Sequence, residues 1–302
     1  MIAVAEPAIA LLVPGGTGQL GGDLAALAGP GVQVHAPGSA DLDITRPGAV
    51  IEAVTELRAR AEAAGARPVV VNAAAYTAVD AAETDEERAF AINADGPRVL
   101  AAACSSRRVP LVHVSTDYVF AGDADRPYEP GDPLAPRTAY GRTKAAGEDA
   151  VLGSGARAWI VRTSWVYGEH GGNFVKTMAR LESERDTVSV VDDQRGCPTW
   201  TGDLAAGLLE LARRVTGDDP PAERVLHCAG AGDTTWFGFA RAVFAGLGAD
   251  PERVRPCTTG EFPRPAPRPA YSVLSDASWR AAGLTPLPPW QKALGEYFAR
   301  TA

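Results

Sequence analysis

Residues 9–13, an unbroken apolar run, lead into Pro14-Gly15-Gly16-Thr17-Gly18-Gln19-Leu20-Gly21 and then into an amphipathic stretch. Glycines at 15, 18 and 21 let a strand-to-helix turn take positive φ and let its backbone approach a pyrophosphate, which the helix N-terminus attracts with free N–H groups. A bare glycine triplet describes a turn that binds nothing equally well; its place directly after the first strand favours a dinucleotide. The spacing is GxxGxxG, not GxGxxG, and no Lys-Ser/Thr follows, so this is not a P-loop. Gln33-Val34-His35-Ala36-Pro37, closing the second apolar run, offers neither an acid for an adenosine 2′-hydroxyl nor an arginine for a 2′-phosphate, which leaves NAD versus NADP open.

The pattern continues along the chain. Short apolar runs at 9–13, 32–36, 69–72, 111–115 and 159–162 alternate with amphipathic stretches, as in βα units whose parallel sheet is covered on both faces. The predicted fold is α/β, a Rossmann-like doubly wound parallel sheet. Helices are expected from about 19 to 28, after Thr45 and Pro47, from Thr84 with Glu87 completing a capping box, and over about 138–152. Runs at 188–191 and 225–228 read as strands extending the same sheet. Between them Leu204, Leu208, Leu211 and Val215 form one apolar helical stripe, assigned to the core. Further helices are expected over 236–247 and 290–298, with a rigid Pro-rich loop at 262–269.

At 302 residues the chain suffices for one large domain or two moderate ones. Its 29 basic and 37 acidic residues give a net charge of −8, which argues against nucleic acid and anionic membrane as partners. A hydrophobic share of 46% with 22% charged residues is that of an ordinary folded protein. The first seven residues lack a basic region, and Glu6-Pro7 interrupts their apolar run, so no export signal is read and a cytoplasmic location is expected. Cys104, Cys197, Cys228 and Cys257 show no CxxC pair and are read as buried thiols. His35, His113, His170 and His227 are isolated, none at the i, i+4 spacing of a helical metal site, and are read as solvated or core residues.

Two further features carry chemistry. Tyr140-Gly141-Arg142-Thr143-Lys144 places a phenol and an ammonium one helical turn apart, where the ammonium is expected to lower the phenol pKa and ready it as a proton donor to a carbonyl. Alone, such a pair more often marks a solvated helix face with a packed ring. Ser115-Thr116-Asp117-Tyr118-Val119-Phe120 ends a buried run with two hydroxyls at the carboxyl edge of the sheet, where open α/β sheets bind ligands. Thr116 there can donate to the oxygen that Tyr140 protonates, or merely close a turn.

In this order and spacing the three features resemble the extended short-chain dehydrogenase/reductases, and within them the dTDP-4-dehydrorhamnose reductase family. That family's stretches appear at 71–80 as Val-Asn-Ala-Ala-Ala-Tyr-Thr-Ala-Val-Asp, at 115–120, at 140–144, at 162–167 as Arg-Thr-Ser-Trp-Val-Tyr, at 173–178, at 193–199 and at Arg268-Pro269, so the likeness spans nearly the whole chain. It implies reduction, with NADPH or NADH, of the C4 keto group of dTDP-4-dehydro-6-deoxy-L-mannose to dTDP-L-rhamnose. Tyr140, Lys144 and Thr116 would form the catalytic triad. Gly15, Gly18, Gln19, Leu20 and Gly21, then Asp43 and Ile44, then Ala74, Ala75, Tyr76 and Thr77, with Tyr140 and Lys144, would hold the cofactor. Asp43 also reads as an ordinary turn or helix-capping acid. Thr116, Asp117, Val119, Phe120, Tyr140, Trp165, Asn173, Lys176 and Arg268, with Arg195 a further candidate for the diphosphate, would meet the substrate.

The resemblance assigns residues 1–163 to a dinucleotide-binding domain to which strands near 188–228 return, and 164–187 with 229–302 to a smaller nucleotide-sugar domain. Some relatives dimerise around magnesium; Asp23 and Glu296 could serve at two of its carboxylate positions, but the third falls near Asp186-Thr187 without a clear match, so magnesium is possible but not expected. The chain would be a monomer or homodimer. Two alternatives stand beside this reading. One is the same chemistry on another dTDP-4-keto-6-deoxy sugar, as in dihydrostreptose synthases. The other is a non-catalytic subunit like the regulators of methionine adenosyltransferase, against which the complete triad argues. A dehydratase would need a second acid where Tyr118 follows Asp117.

Overall fold

The structure, a computed structural model, describes residues 7–301; the stretch before Pro7, read as carrying no export signal, lies outside them. The first half is built of βα units: β1 (Ile9–Leu12), α1 (Gln19–Ala25), β2 (Val32–His35), α2 (Pro47–Ala63), β3 (Arg67–Asn72), α3 (Val79–Ala82), α4 (Glu86–Phe90) running through a π-turn into α5 (Gly96–Arg107), β4 (Leu111–Thr116), α6 (Ala139–Leu152) and β5 (Ala158–Thr163). There follow β6 (Val166–Tyr167), α7 (Phe174–Glu184), β7 (Val188–Val191), β8 (Arg195–Gly196), β9 (Thr199–Trp200), α8 (Thr201–Thr216), β10 (Val225–His227), β11 (Thr234–Thr235), α9 (Trp236–Gly246), β12 (Val254–Cys257), α10 (Ala277–Ala281) and α11 (Trp290–Thr301).

The main sheet has six parallel strands in the order β10-β5-β4-β3-β1-β2. Its inner strands are largely apolar on both sides because both sides are covered, whereas the edge strand β2 leaves Gln33 and His35 exposed. Leu11, Val69, Val71 and Trp159 pack beneath α1 and α8, where the stripe Leu204, Leu208, Leu211 and Val215 is fully buried; Leu12, Val70 and Ile160 pack against α2 and α5. The chain leaves β1 toward β2 on one side and returns through β3 on the other. The crevice at that reversal, at the carboxyl ends of β1 and β3, is where doubly wound sheets take ligands.

Three expectations are corrected. Residues 188–191 do not extend the main sheet: β7 pairs in parallel with β12, over a separate core in which Val188 and Val190 meet Phe239, Val243 and Val254. Pro256 within β12 disguised its strand partner. Thr84 does not cap a helix; its hydroxyl donates to the Ala81 carbonyl at the end of α3, and α4 begins after Asp85 with no side-chain cap. Trp279, Leu284 and Leu287 pack in the core beneath the main sheet. Of the cysteines, Cys104, Cys197 and Cys228 are buried, but Cys257 at the end of β12 is only partly so.

Candidate active site

At the reversal point the glycines do distinct work. Gly15 sits at φ +87°, and a Cβ there would lie 2.7 Å from the Ala74 nitrogen. A Cβ on Gly21 would lie 2.1 Å from the Gly15 carbonyl oxygen, so the turn folds back onto the first turn of α1 only with glycine at both places. Gly18, the N-cap of α1, has no side chain to cap it, and the first N–H groups of the helix are left for a ligand. Backbone bonds tie this turn to its neighbours, Ala73 N to Pro14 O at 3.1 Å and Gly16 N to Pro37 O at 2.9 Å.

The loop after β3 is pinned from behind. Asn93, fully buried in the π-turn, accepts from the Tyr76 N–H at 2.8 Å and donates to the Tyr76 carbonyl and to the Thr143 hydroxyl of α6, each at 3.1 Å. Sequence reasoning missed Asn93, although an asparagine inside an otherwise alanine-rich helical run is a visible signal. Ala75 and Tyr76 are half-buried and Thr77 is exposed on this loop. Leu20 and Ile44 turn their side chains into the core, so contact with a ligand falls to their backbone. Asp43 accepts from the Thr45 N–H and hydroxyl at 3.0 and 2.7 Å and pairs with Arg46, bonds that hold its carboxyl below the usual range; it closes a turn ahead of α2, whose N-cap Arg46 has no side-chain cap.

Across the crevice α6 delivers Tyr140 and Lys144. Its start is fixed by Thr138, which accepts from Gly141 N–H at 3.0 Å, and by Glu83, which accepts from Ala139 N–H at 2.9 Å. Gly141 rests on the Tyr118 carbonyl, 2.3 Å from where a Cβ would stand, and this close approach brings the Tyr140 phenol to the Thr116 hydroxyl at the end of β4. Thr116 also donates to Asp117 at 2.8 Å. Burial pushes the Tyr140 phenol above its ordinary value, with Thr116 opposing and Asp117 reinforcing. The expected lowering by Lys144 does not occur: its ammonium turns to the Val114 carbonyl at 2.8 Å, and burial draws it down to about 8 against the pull of Glu148. Asp117 is buried, and desolvation raises its carboxyl to about 6, opposed by nearby Ser272 and by the hydrogen bond from Thr116; its Oδ2 has no hydrogen-bond partner.

The remaining candidates line two rims. Val119 and Phe120 face inward, Phe120 stacking on Tyr128 at 4.3 Å, so their side chains are not available to a substrate. Asn173 caps α7 and donates to Gln19 of the glycine turn at 3.1 Å, while Lys176 folds over the Glu169 and Gly171 carbonyls beside it. On the other rim Arg268 and Arg264 both grip Asp80, the last residue of the 71–80 stretch, at 2.9 and 2.7 Å. Trp165 takes φ +46°, rare for so bulky a residue, and stacks on Trp236 with centroids 3.6 Å apart. Gly196 gives its indole room. Asp80, Arg264, Ser272 and Trp236 were not anticipated from sequence, since each acts through a partner far away in the chain. Arg195 is engaged by Asp233. Of the magnesium candidates, buried Asp23 accepts from Thr201 and Glu296 pairs with Lys292.

A buried tyrosine and hydroxyl beside a glycine-rich crevice are suited to handing a proton to a carbonyl oxygen near a dinucleotide. The comparisons agree with that architecture. The family model described as RmlD substrate binding domain matches residues 9–302. A Streptomyces antibioticus protein named probable dTDP-4,6-dihydroxy-2-methyloxan-3-one 4-ketoreductase is 50% identical over 95% of this chain and 94% of its own length. The dTDP-4-dehydrorhamnose reductase of Streptomyces griseus is 49% identical over 95% and 92%. The crystal structure of dTDP-4-dehydrorhamnose reductase from Bacillus anthracis in complex with NADP superposes with a TM-score of 0.89 at 35% identity, covering 97% of this chain and 99% of that one. The chain belongs to the dTDP-4-dehydrorhamnose reductase family.

Proposed function

We propose that the chain reduces the C4 keto group of dTDP-4-dehydro-6-deoxy-L-mannose to give dTDP-L-rhamnose, using NADPH or NADH. The observation that carries this is the Tyr140 phenol, buried, still protonated at neutral pH and coupled to Thr116 at the mouth of the crevice. The residues present fit a dinucleotide: the uncapped first turn of α1 offers N–H groups to a pyrophosphate, and the glycine turn leaves no Cβ in the way. When bound, the nicotinamide supplies the hydride. Tyr140 gives its proton to O4, and Thr116 turns its one hydroxyl proton from Asp117 to the same oxygen as charge develops there. Lys144 holds a cation beneath the site, and buried Asp117, with one carboxylate oxygen free, orients the sugar. Trp165 supplies a flat apolar wall, and Lys176 and Arg268, on opposite rims, bring positive charge to the diphosphate.

In this reading the part bearing the main sheet, residues 7–163 with 201–228 and the 277–287 stretch beneath it, holds the cofactor. The segments 164–187 and 229–276 with α11 face the nucleotide sugar. The protein works in the cytoplasm, where nucleotide sugars are made. The runner-up is the same chemistry on another dTDP-4-keto sugar, favoured by the name of the Streptomyces antibioticus relative at 50% identity. The test is loss of nicotinamide absorbance when purified protein meets NADPH or NADH and enzymatically generated dTDP-4-dehydro-6-deoxy-L-mannose, with the product identified. Formation of dTDP-L-rhamnose is expected. Oxidation only with a different dTDP-4-keto sugar would move the assignment to that substrate, and cofactor binding without turnover of any keto sugar would overturn it.

A further inference from the structure

Behind the crevice four groups stand in line from the cofactor loop to Lys144, and their donors do not balance. The Ala74 N–H donates to Asn72 Oδ1 at 3.1 Å, which fixes the amide with its NH2 toward His113. Asn72 Nδ2 lies 3.0 Å from His113 Nδ1, so that nitrogen must accept. His113 is fully buried, and desolvation together with the Lys144 charge holds it neutral. A neutral ring whose Nδ1 accepts carries its proton on Nε2. That Nε2–H points at Lys144 Nζ, 3.4 Å away, a contact between two donors while Lys144 is an ammonium. Flipping the Asn72 amide does not help, since its NH2 would then oppose the Ala74 N–H. One end of the line is relieved only when Lys144 gives up a proton and accepts from His113.

We infer that His113 is a positioning residue for the reaction: locked as the Nε2–H tautomer by Asn72, it makes Lys144 a lysine that releases a proton readily. The inference rests on the reductase reading for its catalytic meaning, but the tautomer and the lysine titration stand apart from it. Burial alone already draws Lys144 down to about 8, and the donor contact acts in the same direction. The other charged and titratable groups nearby are Glu148 and Tyr140 on α6, Arg162 of β5, which Glu148 holds, and Asp117, which acts on Tyr140. Glu148 favours the ammonium, so it opposes His113. Because Ala74 lies in the loop beyond β3, the same line connects the cofactor side of the crevice to the charge on Lys144.

The chain has only two other lysines, Lys176 and Lys292, both exposed, and four histidines, so the test is direct. Protein without cofactor or substrate, labelled with 15N-histidine and 13C-lysine, is titrated by NMR, with Lys144→Met assigning the lysine signal. His113 is expected to report the Nε2–H tautomer, and Lys144 to titrate well below the ordinary lysine value of about 10.4. Asn72→Asp, whose two oxygens accept from both neighbours, should switch His113 to Nδ1–H and raise the Lys144 midpoint by about one unit or more. His113→Gln, whose amide oxygen can turn to Lys144, should raise it without adding charge and carries the test if Asn72→Asp does not fold. The basic limb of the kcat/KM profile should move up with the midpoint in either variant. An Nδ1–H tautomer in the unmodified protein, or an unmoved Lys144 midpoint in His113→Gln, would overturn the inference, as would a midpoint that moves while the pH profile does not. Absence of turnover by the unmodified protein would sink the reductase reading and leave the NMR result standing.

Discussion

Tyr140 and Asp117 show how burial assigns opposite duties to neighbouring acids. Desolvation keeps the Tyr140 phenol protonated well past neutrality, and Lys144, facing Val114, does not counter it. The phenol is therefore a stored proton. Tyr140→Phe should lower turnover about 10²–10⁴-fold while NADPH binding, followed by nicotinamide fluorescence, changes little. Undiminished turnover would remove Tyr140 from the mechanism. Asp117 is the reverse case: its carboxyl, raised to about 6, binds its proton more tightly in the folded chain than in the unfolded one. The folded state is then penalised as pH rises from the unfolded value through the folded one, and below both values the penalty is absent. Asp117→Asn should raise thermal stability near neutral pH, by up to about 3 kcal/mol, and scarcely at about pH 4. Equal gains at both pH values would show that the buried charge is not the cause. None of this was readable from the residues alone. The sequence shows that Tyr140 and Lys144 share a helix face, but the direction in which Lys144 points depends on β4 beneath it.

At the scale of elements, α6 was legible because two signals coincide: Thr138 is a good N-cap, and the Tyr-Gly-x-x-Lys spacing fits one helical face. The glycine in that motif is what the pattern leaves unexplained. Gly141 allows α6 to press against the turn that follows β4, with backbone, not a flexible side chain, as the neighbour. Gly141→Ala must therefore move the helix, the turn or both, and separate Tyr140 from Thr116. The expected result is a kcat lowered about tenfold or more, with the KM for NADPH much less affected, measured by initial rates. A kcat unchanged within twofold would mean that the helix can shift without disturbing the pair. The strands of the main sheet were legible because each is a short run rich in apolar residues bounded by turn residues, even in β2, where only Val32 is buried. The two-residue strands β6, β8, β9 and β11 were not, because two residues carry no period, and β12 hides behind its proline.

For the whole molecule the decisive contact is one that no local pattern announces. Arg162 on β5 and Glu148 on α6 form a fully buried pair, with Arg162 Nε 2.9 Å from Oε1 and Nη2 2.6 Å from Oε2. Arg162 also donates to the Pro130 carbonyl at 3.1 Å and lies 4.9 Å from the Phe120 ring, while His227 of β10, kept neutral by burial and by Arg162, contacts the Tyr128 carbonyl at 3.1 Å. One charge pair thus joins the helix that carries Tyr140 and Lys144, the last two strands of the main sheet, and the loop that leads from Thr116 toward α6. A buried pair adds little net stability over apolar packing, but removing one partner leaves the other charge uncompensated. Glu148→Gln should therefore destabilise the protein by about 3–5 kcal/mol. Because the contact spans elements that are distant in sequence, the loss is shared by the whole fold: the urea midpoint should fall in a single transition of unchanged slope. A second, early transition would instead mean that the pair secures only the 120–130 loop, and that the sheet and α6 hold together without it.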